Sequence, residues 1–233
     1  MSESMSGALA TDLSEEFWRA SHNGYTPNER WHLDRPSCRY ENFKHWYEAS
    51  ADFARQYLPV SGDGKLLCVG SPIFEATELE ADGWDVTYLD VREPPGVVKW
   101  AKGDAADMPF EAGSFDALSS SCVICHVGLG RYGDAVRVNG DMDMLRECKR
   151  VLKAGALMQI AIPVIPGDTP CRLGNCHRVY PVMRTFEMAR ECGFRIERYA
   201  IWDSSESKWG VESDVLLSQN LAYPDYISML LRS

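Results

Sequence analysis

Two histidines and a tyrosine in the second half of the sequence have side chains that can move protons. His126 precedes the long loop "VGLGRYGDAVRVNGD", Tyr132 lies within it, and His177 follows the next apolar segment. Imidazole titrates near neutral pH, so His126 is the first candidate for a general base, with Tyr132 and His177 as second candidates. The alternative for each is a side chain hydrogen-bonded to loop backbone. Since loops of this length usually carry function, the pattern indicates a site at this loop.

A glycine and an acid lie at the ends of two consecutive predicted strands. Gly70 follows the apolar run "LLCV", and Asp90 closes the next strand, twenty residues later. In doubly wound folds such a glycine lets the backbone approach a nucleotide closely, and such an acid accepts hydrogen bonds from ribose hydroxyls. The alternative is that Asp90 caps a turn before Pro94 and Pro95. The pair is therefore a candidate nucleoside site.

Two clusters of cysteine and histidine are candidate ligand sets. "CVICH" (Cys122 to His126) matches the attachment pattern of c-type haem, and "CRLGNCH" (Cys171 to His177) could add ligands for zinc. The first cluster, however, continues the apolar segment "SFDALSSSCVI", which is typical of a core strand. Buried thiols are therefore the expected role and no metal ligand is assigned, with zinc shared by the two clusters as the alternative.

The composition limits the kinds of partner that we expect this protein to bind. The formal net charge is -10 and no basic run occurs, which disfavours nucleic acid because its binding depends on Lys and Arg that neutralise phosphates. No segment approaches the ~18 consecutive apolar residues that a membrane helix needs. The acidic start "MSESMSGALATDLSEEFW" is not typical of a secretory signal. We therefore expect a cytoplasmic location, reduced thiols and a small-molecule partner, with the oligomeric state open.

Strands and helices alternate regularly from residue 61 to the end. The predicted strands are "KLLCVG", "DVTYLDV", "GVVKWAKGD", "SFDALSSSCVI" and "ALMQIAIPV", and the predicted helices include "PIFEATELEADG" and "GDMDMLRECKRVLKAG", with Gly155 as the C-terminal cap of the second. Two strands in succession, "FRIERYAIW" and "SDVLLSQN", indicate an antiparallel strand at one sheet edge. The pattern predicts an α/β, doubly wound, mostly parallel sheet over residues 61–233.

The first 60 residues differ from the rest in being rich in Trp, Tyr, His and Arg. The segment "YENFKHWYEASADFARQYL" has an apolar face at helical spacing. We expect an N-terminal helical lid over residues 1–60 that contributes Trp31, His32, Arg35 and Tyr40 to an acceptor pocket. The alternative is an extra helical layer that only packs across the sheet.

The segment from Lys65 to Val164 resembles the class I S-adenosylmethionine-dependent methyltransferases. The resemblance is carried by "LLCVG", by Asp90, by "GDAADMPF" before "SFDAL", and by "LRECKRVLKAGALMQIAIPV". In that superfamily an acid ending the second strand holds the ribose, and an acid-containing turn after the third strand lies against the adenine. The resemblance thus implies a seven-stranded sheet and S-adenosylmethionine as the cofactor. It assigns the cofactor to eight residues: Gly70, Ser71, Pro72, Asp90, Val91, Asp104, Ala105 and Ser121.

The sequence departs from the family at the opening loop. Where the family has an acid and then G-x-G-x-G, this chain has Cys68 and then Gly70, Pro72 and Phe74. One glycine is enough for the close approach, and Ser71 could donate a compensating hydrogen bond. Pro72 has no N–H, which disfavours a dinucleotide-dependent oxidoreductase because pyrophosphate needs several free N–H groups at a helix start.

The resemblance implies methyl transfer from S-adenosylmethionine to an oxygen or nitrogen of a small molecule, such as a sugar or a carboxylate-bearing metabolite. His126 would then face the methyl group. The loop "HVGLGRYGD", with "NCHRVY", is similar to a methyltransferase-like branch found beside sugar-processing proteins. Two alternatives stay open: a catalytically inactive methyltransferase-like scaffold that binds a partner protein, and a nucleotide-dependent oxidoreductase.

Overall fold

The computed structural model describes residues 26–27, 44–60, 63–94, 99–165, 167–168, 170–173, 177–203, 208–210 and 225–233. The helices are α1 (Lys44–Tyr57), α2 (Ile73–Ala81), α3 (Gly140–Val151) and α4 (Val182–Glu191). The strands are β1 (Thr26–Pro27), β2 (Lys65–Val69), β3 (Asp85–Asp90), β4 (Trp100–Lys102), β5 (Phe115–Ser121), β6 (Leu152–Ile165), β7 (Cys171–Leu173), β8 (His177–Pro181), β9 (Arg195–Asp203), β10 (Lys208–Gly210) and β11 (Asp225–Arg232). In this described part of the chain, none of the helices combines the length and the apolar character that crossing a bilayer requires.

Seven strands form the body of the sheet, in the order β4-β3-β2-β5-β6-β11-β9. The first five pair in parallel, and β11 runs antiparallel to both of its neighbours. The chain leaves β2 towards β3 on one side, whereas β5 lies on the other side of β2. The strand order therefore reverses between β2 and β5, and in open α/β sheets ligands bind beyond the carboxyl ends of the strands at such a point. The predicted α/β fold with a mostly parallel sheet is confirmed.

Alternation along β2 shows why both sheet faces are apolar. Leu66 and Cys68 belong to one buried cluster, with residues of α1 and α2, whereas Leu67 and Val69 belong to the other, with residues of α3 and α4. Successive side chains of a strand point to opposite faces, so a strand covered by helices on both sides needs a continuous apolar run. The helix predicted around "YENFKHWYEASADFARQYL" is α1, which buries Trp46 and Phe53.

Strand β8 continues the sheet where β5 has ended. β5 pairs with β6 up to Ser121 and Ala161, and β8 then pairs in parallel with Val164 and Ile165 further along β6. β7 pairs antiparallel with β8, so the segment "CRLGNCH" contributes to a strand pair. This arrangement places the start of β8 beside the turn that follows β5.

Two predicted details differ from the structure. β5 ends at Ser121 because Cys122 takes a left-handed conformation (φ 60°), so "CVI" does not continue the strand. Helix α3 ends at Val151, and Gly155 (φ 78°) lies in an irregular stretch of β6 instead of capping the helix. The antiparallel pairing predicted for the end of the chain is formed by β9 and β11, and the predicted strand "SDVLLSQN" lies outside the described residues.

The N-terminal lid stays a prediction. Trp31, His32, Arg35 and Tyr40 lie outside the residues that the structure describes.

Candidate functional site

A cavity of about 680 Å³ opens at the carboxyl ends of β2, β3, β4 and β5. Its volume is within the ~300–1,000 Å³ usual for small-molecule sites. All eight residues that the resemblance assigns to the cofactor border this cavity: Gly70, Ser71, Pro72, Asp90, Val91, Asp104, Ala105 and Ser121. The sheet topology therefore brings residues that are spread over about fifty positions of the sequence together at one cavity.

The backbone at Gly70 requires glycine. Its φ is 55°, and its N–H donates to the carbonyl of Leu89 (2.8 Å), which ties the loop to β3. A Cβ atom there would lie 3.1 Å from Cγ2 of Val123. A side chain at this position would thus combine strain with crowding. Phe74 and Pro72 border the cavity without closing it.

Ser71 forms hydrogen bonds with other residues of the protein. The residue is 1% exposed, and its Oγ accepts a hydrogen bond from the backbone N–H of Ser121 (2.8 Å). The hydroxyl of Tyr88 donates to the carbonyl of Ser71, and burial raises the pKa of Tyr88, so the hydroxyl keeps its proton. These bonds fix the loop after β2 to β3 and β5, and the hydrogen bond from Ser71 to a cofactor stays a prediction.

The two predicted acids end β3 and follow β4. Asp90 has a largely buried side chain whose Oδ1 accepts from the backbone N–H of Arg92 (2.9 Å); Oδ2 has no hydrogen-bond partner among the described residues. Asp104 closes its own turn, since Oδ1 accepts from the backbone N–H of Ala106 (2.9 Å) and Oδ2 lies 3.6 Å from Nε of Arg137. Asp90 therefore caps a turn with one oxygen, as the alternative prediction has it, and the residue also borders the cavity.

Below the loop, a fully buried carboxyl lies in a chain of hydroxyl and amide groups. Glu75 of α2 is 0% exposed, and the hydroxyl of Ser119 lies 2.6 Å from its Oε1 and 2.8 Å from Oε1 of Gln159. One hydroxyl proton cannot serve two acceptors, whereas a protonated Glu75 can donate to Ser119, which then donates to Gln159. Burial raises the pKa of Glu75, which agrees with a neutral carboxyl.

The same chain of hydrogen bonds reaches the cavity wall. Nε2 of Gln159 donates to Oγ of Ser50 (3.1 Å), and Ser50 shares a hydrogen bond with Oγ of Ser121 (2.8 Å). Sequence reasoning missed Glu75, because one glutamate among several in an acidic helix carries no distinguishing pattern. The signal available was the run Ser119 to Ser121 in an otherwise apolar strand, since buried hydroxyls need polar partners.

The three candidates for proton transfer lie close together in the structure. His126 and Tyr132 both border the cavity, and their rings meet edge to face at 5.4 Å between centroids. His177 packs on the other side of His126, at 5.8 Å between centroids, because the backbone N–H of Arg178 donates to the carbonyl of Cys125 (2.8 Å). Burial lowers the pKa of His177 to about 3, so this imidazole is neutral at physiological pH.

The loop that carries Tyr132 is held by one carboxylate. Asp134 accepts backbone hydrogen bonds from Gly128 (2.8 Å), Gly130 (3.2 Å) and Tyr132 (3.2 Å). The buried Arg178 donates from Nη1 to the carbonyl of Val127 (2.7 Å) and anchors the start of the loop. The guanidinium of Arg92 stacks on the Tyr132 ring (4.3 Å) at the cavity wall.

Two groups at the cavity are additional to the predicted set. Tyr47 of α1 borders the cavity, and burial raises its pKa, so the phenol stays protonated. Cys122 also borders it, and the pKa of this thiol is lowered to about 6, mainly by a hydrogen bond from Cys125 and further by His126. The sequence analysis expected Cys122 to be a buried thiol because it continued β5 through this residue, and it expected Tyr47 on the apolar face of a helix.

Comparison with known proteins gives a family and a fold. The sequence profile described as "Caenorhabditis protein of unknown function, DUF268" matches residues 105–232. No curated protein matches the sequence.

Many solved structures share the fold. Burkholderia thailandensis 1,6-didemethyltoxoflavin-N1-methyltransferase, solved with bound 1,6-didemethyltoxoflavin and S-adenosylhomocysteine, is 14% identical with a TM-score of 0.59, over 100% of this chain and 91% of that chain. An S-adenosylmethionine-dependent methyltransferase from Mesorhizobium loti is 14% identical with a TM-score of 0.56, over 80% and 100%. The cyclase SpnF is 14% identical with a TM-score of 0.61, over 87% and 85%. The fold is thus that of the class I methyltransferases, and the cyclase shows that this fold also supports other chemistry.

Proposed function

The chain belongs to the DUF268 family, and from this premise and its class I methyltransferase fold we propose that it is an S-adenosylmethionine-dependent methyltransferase of small molecules. The observation that carries the proposal is the cavity at the strand-order reversal, with Gly70 and Asp90 at its edge. A backbone without a side chain at one strand end and a carboxylate at the next are the two groups that an adenosine moiety needs.

The residues of the cavity fit this cofactor. Gly70 leaves room that a Cβ would fill, and Oδ2 of Asp90 is placed to accept hydrogen bonds from the ribose diol. Asp104 and Ala105 form the turn proposed to lie against the adenine. When bound, S-adenosylmethionine supplies an activated methyl group. Since it carries no phosphate, the lack of an N–H at Pro72, the residue before α2, costs it nothing.

We assign the proton-accepting role to His126. Methyl transfer to oxygen or nitrogen requires an aligned acceptor and, where the acceptor atom carries a proton, a base. His126 is at the cavity wall, whereas the low pKa of His177 makes it a poor base and suits it to orienting His126 from behind. Tyr132 packs on the opposite side and restricts the same imidazole.

The acceptor that this cavity suits best carries a carboxylate. Arg92 borders the cavity and stacks on Tyr132, and Arg131 lies 5.1 Å from the centroid of the same ring. Nε of Arg92 lies 3.5 Å from Oδ1 of Asp90, and a guanidinium has further N–H groups that can bind a carboxylate in a bidentate manner.

Calorimetric titration with S-adenosylmethionine and S-adenosylhomocysteine tests the proposal. We expect the Asp90→Asn variant to bind about 10–100-fold more weakly, because hydrogen bonds to a charged group contribute about 1.5–3 kcal/mol. Asp85→Asn is the matched control, since Asp85 begins the same strand at the opposite edge of the sheet and pairs with Lys99. Folded protein that gives no heat at millimolar ligand would exclude the enzyme and favour a scaffold. Equal affinity of the two variants would remove Asp90 from the ribose site.

A further inference from the structure

Two cysteines meet at the turn that ends β5. Cys122 is the non-glycine residue with positive φ (60°) in the described part of the chain, and this conformation brings its side chain back towards Cys125. Their Sγ atoms are 3.5 Å apart, and Sγ of Cys125 also lies 3.4 Å from the carbonyl oxygen of Cys122, so the one S–H of Cys125 can donate to either of these atoms. A left-handed conformation costs a non-glycine residue about 1–2 kcal/mol, and such strain is concentrated at functional sites.

The two thiols differ in access and environment. Cys122 is half-buried and borders the cavity, whereas Cys125 is 0% exposed and part of the main apolar cluster. A small oxidant that enters the cavity therefore meets Cys122 first. Donors from Cys125 and His126 stabilise the Cys122 thiolate, and the thiolate is the reactive form of cysteine. An accessible, activated thiol beside a sheltered one is the arrangement of an attacking and a resolving cysteine.

We propose that Cys122 and Cys125 form a redox-active dithiol that hydrogen peroxide converts to a disulfide within the cavity wall. In the first step the Cys122 thiolate attacks one peroxide oxygen; an S–O bond forms, the O–O bond breaks and hydroxide leaves. In the second step the Cys125 sulfur attacks the sulfenic sulfur of Cys122, an S–S bond forms, and water leaves with the proton of Cys125. The hydroxide takes up the proton that Cys122 released on becoming a thiolate. The dithiol thus loses two electrons and two protons, and one peroxide is reduced to two waters.

The modification would act on the neighbouring base, a consequence that rests on the proposed function. In the reduced protein His126 can donate one N–H to the Cys122 thiolate and use its other nitrogen to accept a proton from the acceptor. A disulfide removes that negative charge. Oxidation is therefore expected to lower methyl transfer and to leave the Gly70 and Asp90 edge of the cavity intact.

Peptide mass spectrometry gives a direct test. Trypsin cleaves after Lys102 and Arg131, and the peptide 103–131 contains two cysteines, Cys122 and Cys125. Full-length reduced protein is treated with one equivalent of peroxide and alkylated under denaturing conditions. We expect the peptide to escape alkylation and to be lighter by two hydrogens, while the peptides containing Cys148 and Cys192 are alkylated. In the Cys125→Ser variant we expect a sulfenic acid on Cys122 that dimedone traps, and in Cys122→Ser no adduct on Cys125.

Several results would overturn the proposal. They are full alkylation of the peptide after peroxide, oxidation of Cys148 and Cys192 at the same rate, or bound zinc at one equivalent that protects the two thiols. Near-UV circular dichroism of each variant checks that it is folded, and the wild-type mass shift does not depend on any variant. Calorimetry of the oxidised protein separates the two proposals. Failure of both redox forms to bind S-adenosylmethionine refutes the methyltransferase alone, since the mass shift is measured without cofactor.

Discussion

The buried carboxyl of Glu75 makes the stability of the protein depend on pH in a direction opposite to that of most acids. Glu75 is 0% exposed, and burial raises its pKa above the ordinary value of 4.5. A carboxyl with a higher pKa in the folded state binds its proton more tightly there than in the unfolded chain. Its contribution is therefore most favourable below pH 4.5 and is lost as pH rises towards the folded pKa.

The change that isolates this effect is Glu75→Gln. The amide has the shape of the protonated carboxyl and can donate to Ser119, so the hydrogen-bond chain to Gln159 is kept. One proton is involved, so the wild type should lose up to about 1.4 kcal/mol of unfolding free energy per pH unit relative to the variant. The loss begins near pH 4.5 and stops above the folded pKa. The variant is thus expected to be the more stable protein at neutral pH.

Urea unfolding of both proteins at half-unit steps from pH 5 to pH 8 measures the difference, with equal denaturant slopes required for comparison. Glu80→Gln is the matched control, because Glu80 is exposed on the same helix, and its curve should parallel that of the wild type. A constant difference between wild type and Glu75→Gln across the range would refute the buried neutral carboxyl. If the unfolding free energy of the wild type instead rises relative to that of the variant as pH rises, the carboxylate is ionised and stabilised in the folded protein.

Gly70→Ala should destabilise the protein by about 1–3 kcal/mol more than Gly113→Ala in urea unfolding, which is the usual cost of overpacking, and should weaken S-adenosylmethionine binding. Both glycines have positive φ (55° and 67°), but an added Cβ meets Val123 at Gly70 and nothing within 4 Å at Gly113, so equal losses would contradict the crowding argument. His126→Gln should lower turnover of radiolabelled methyl groups into an extract of small metabolites by about 10²–10⁴-fold at unchanged cofactor affinity. Unaltered turnover would assign the base elsewhere.

Local sequence patterns were enough to predict which strand ends meet at the cavity. "KLLCVG" and "DVTYLDV" are short apolar runs that end in a glycine and an acid, and the structure places both ends on one cavity. This worked because parallel neighbouring strands bring their carboxyl ends to the same edge whatever the loops between them do. The position of β11 between β6 and β9 was beyond such reasoning, because the pairing of β11 with β6 spans more than sixty residues of sequence.

The sequence by itself determined the α/β class, the apolar strands, and the glycine and acids at their ends, because strand periodicity and backbone freedom are local properties. Only the tertiary structure decided which polar groups meet. Burial keeps Glu75 neutral beside Ser119 and Gln159, and Cys122 faces Cys125 because one left-handed residue ends β5. A pKa or a thiol pair depends on atoms brought within a few ångströms from distant parts of the chain, and no spacing along the sequence encodes that distance.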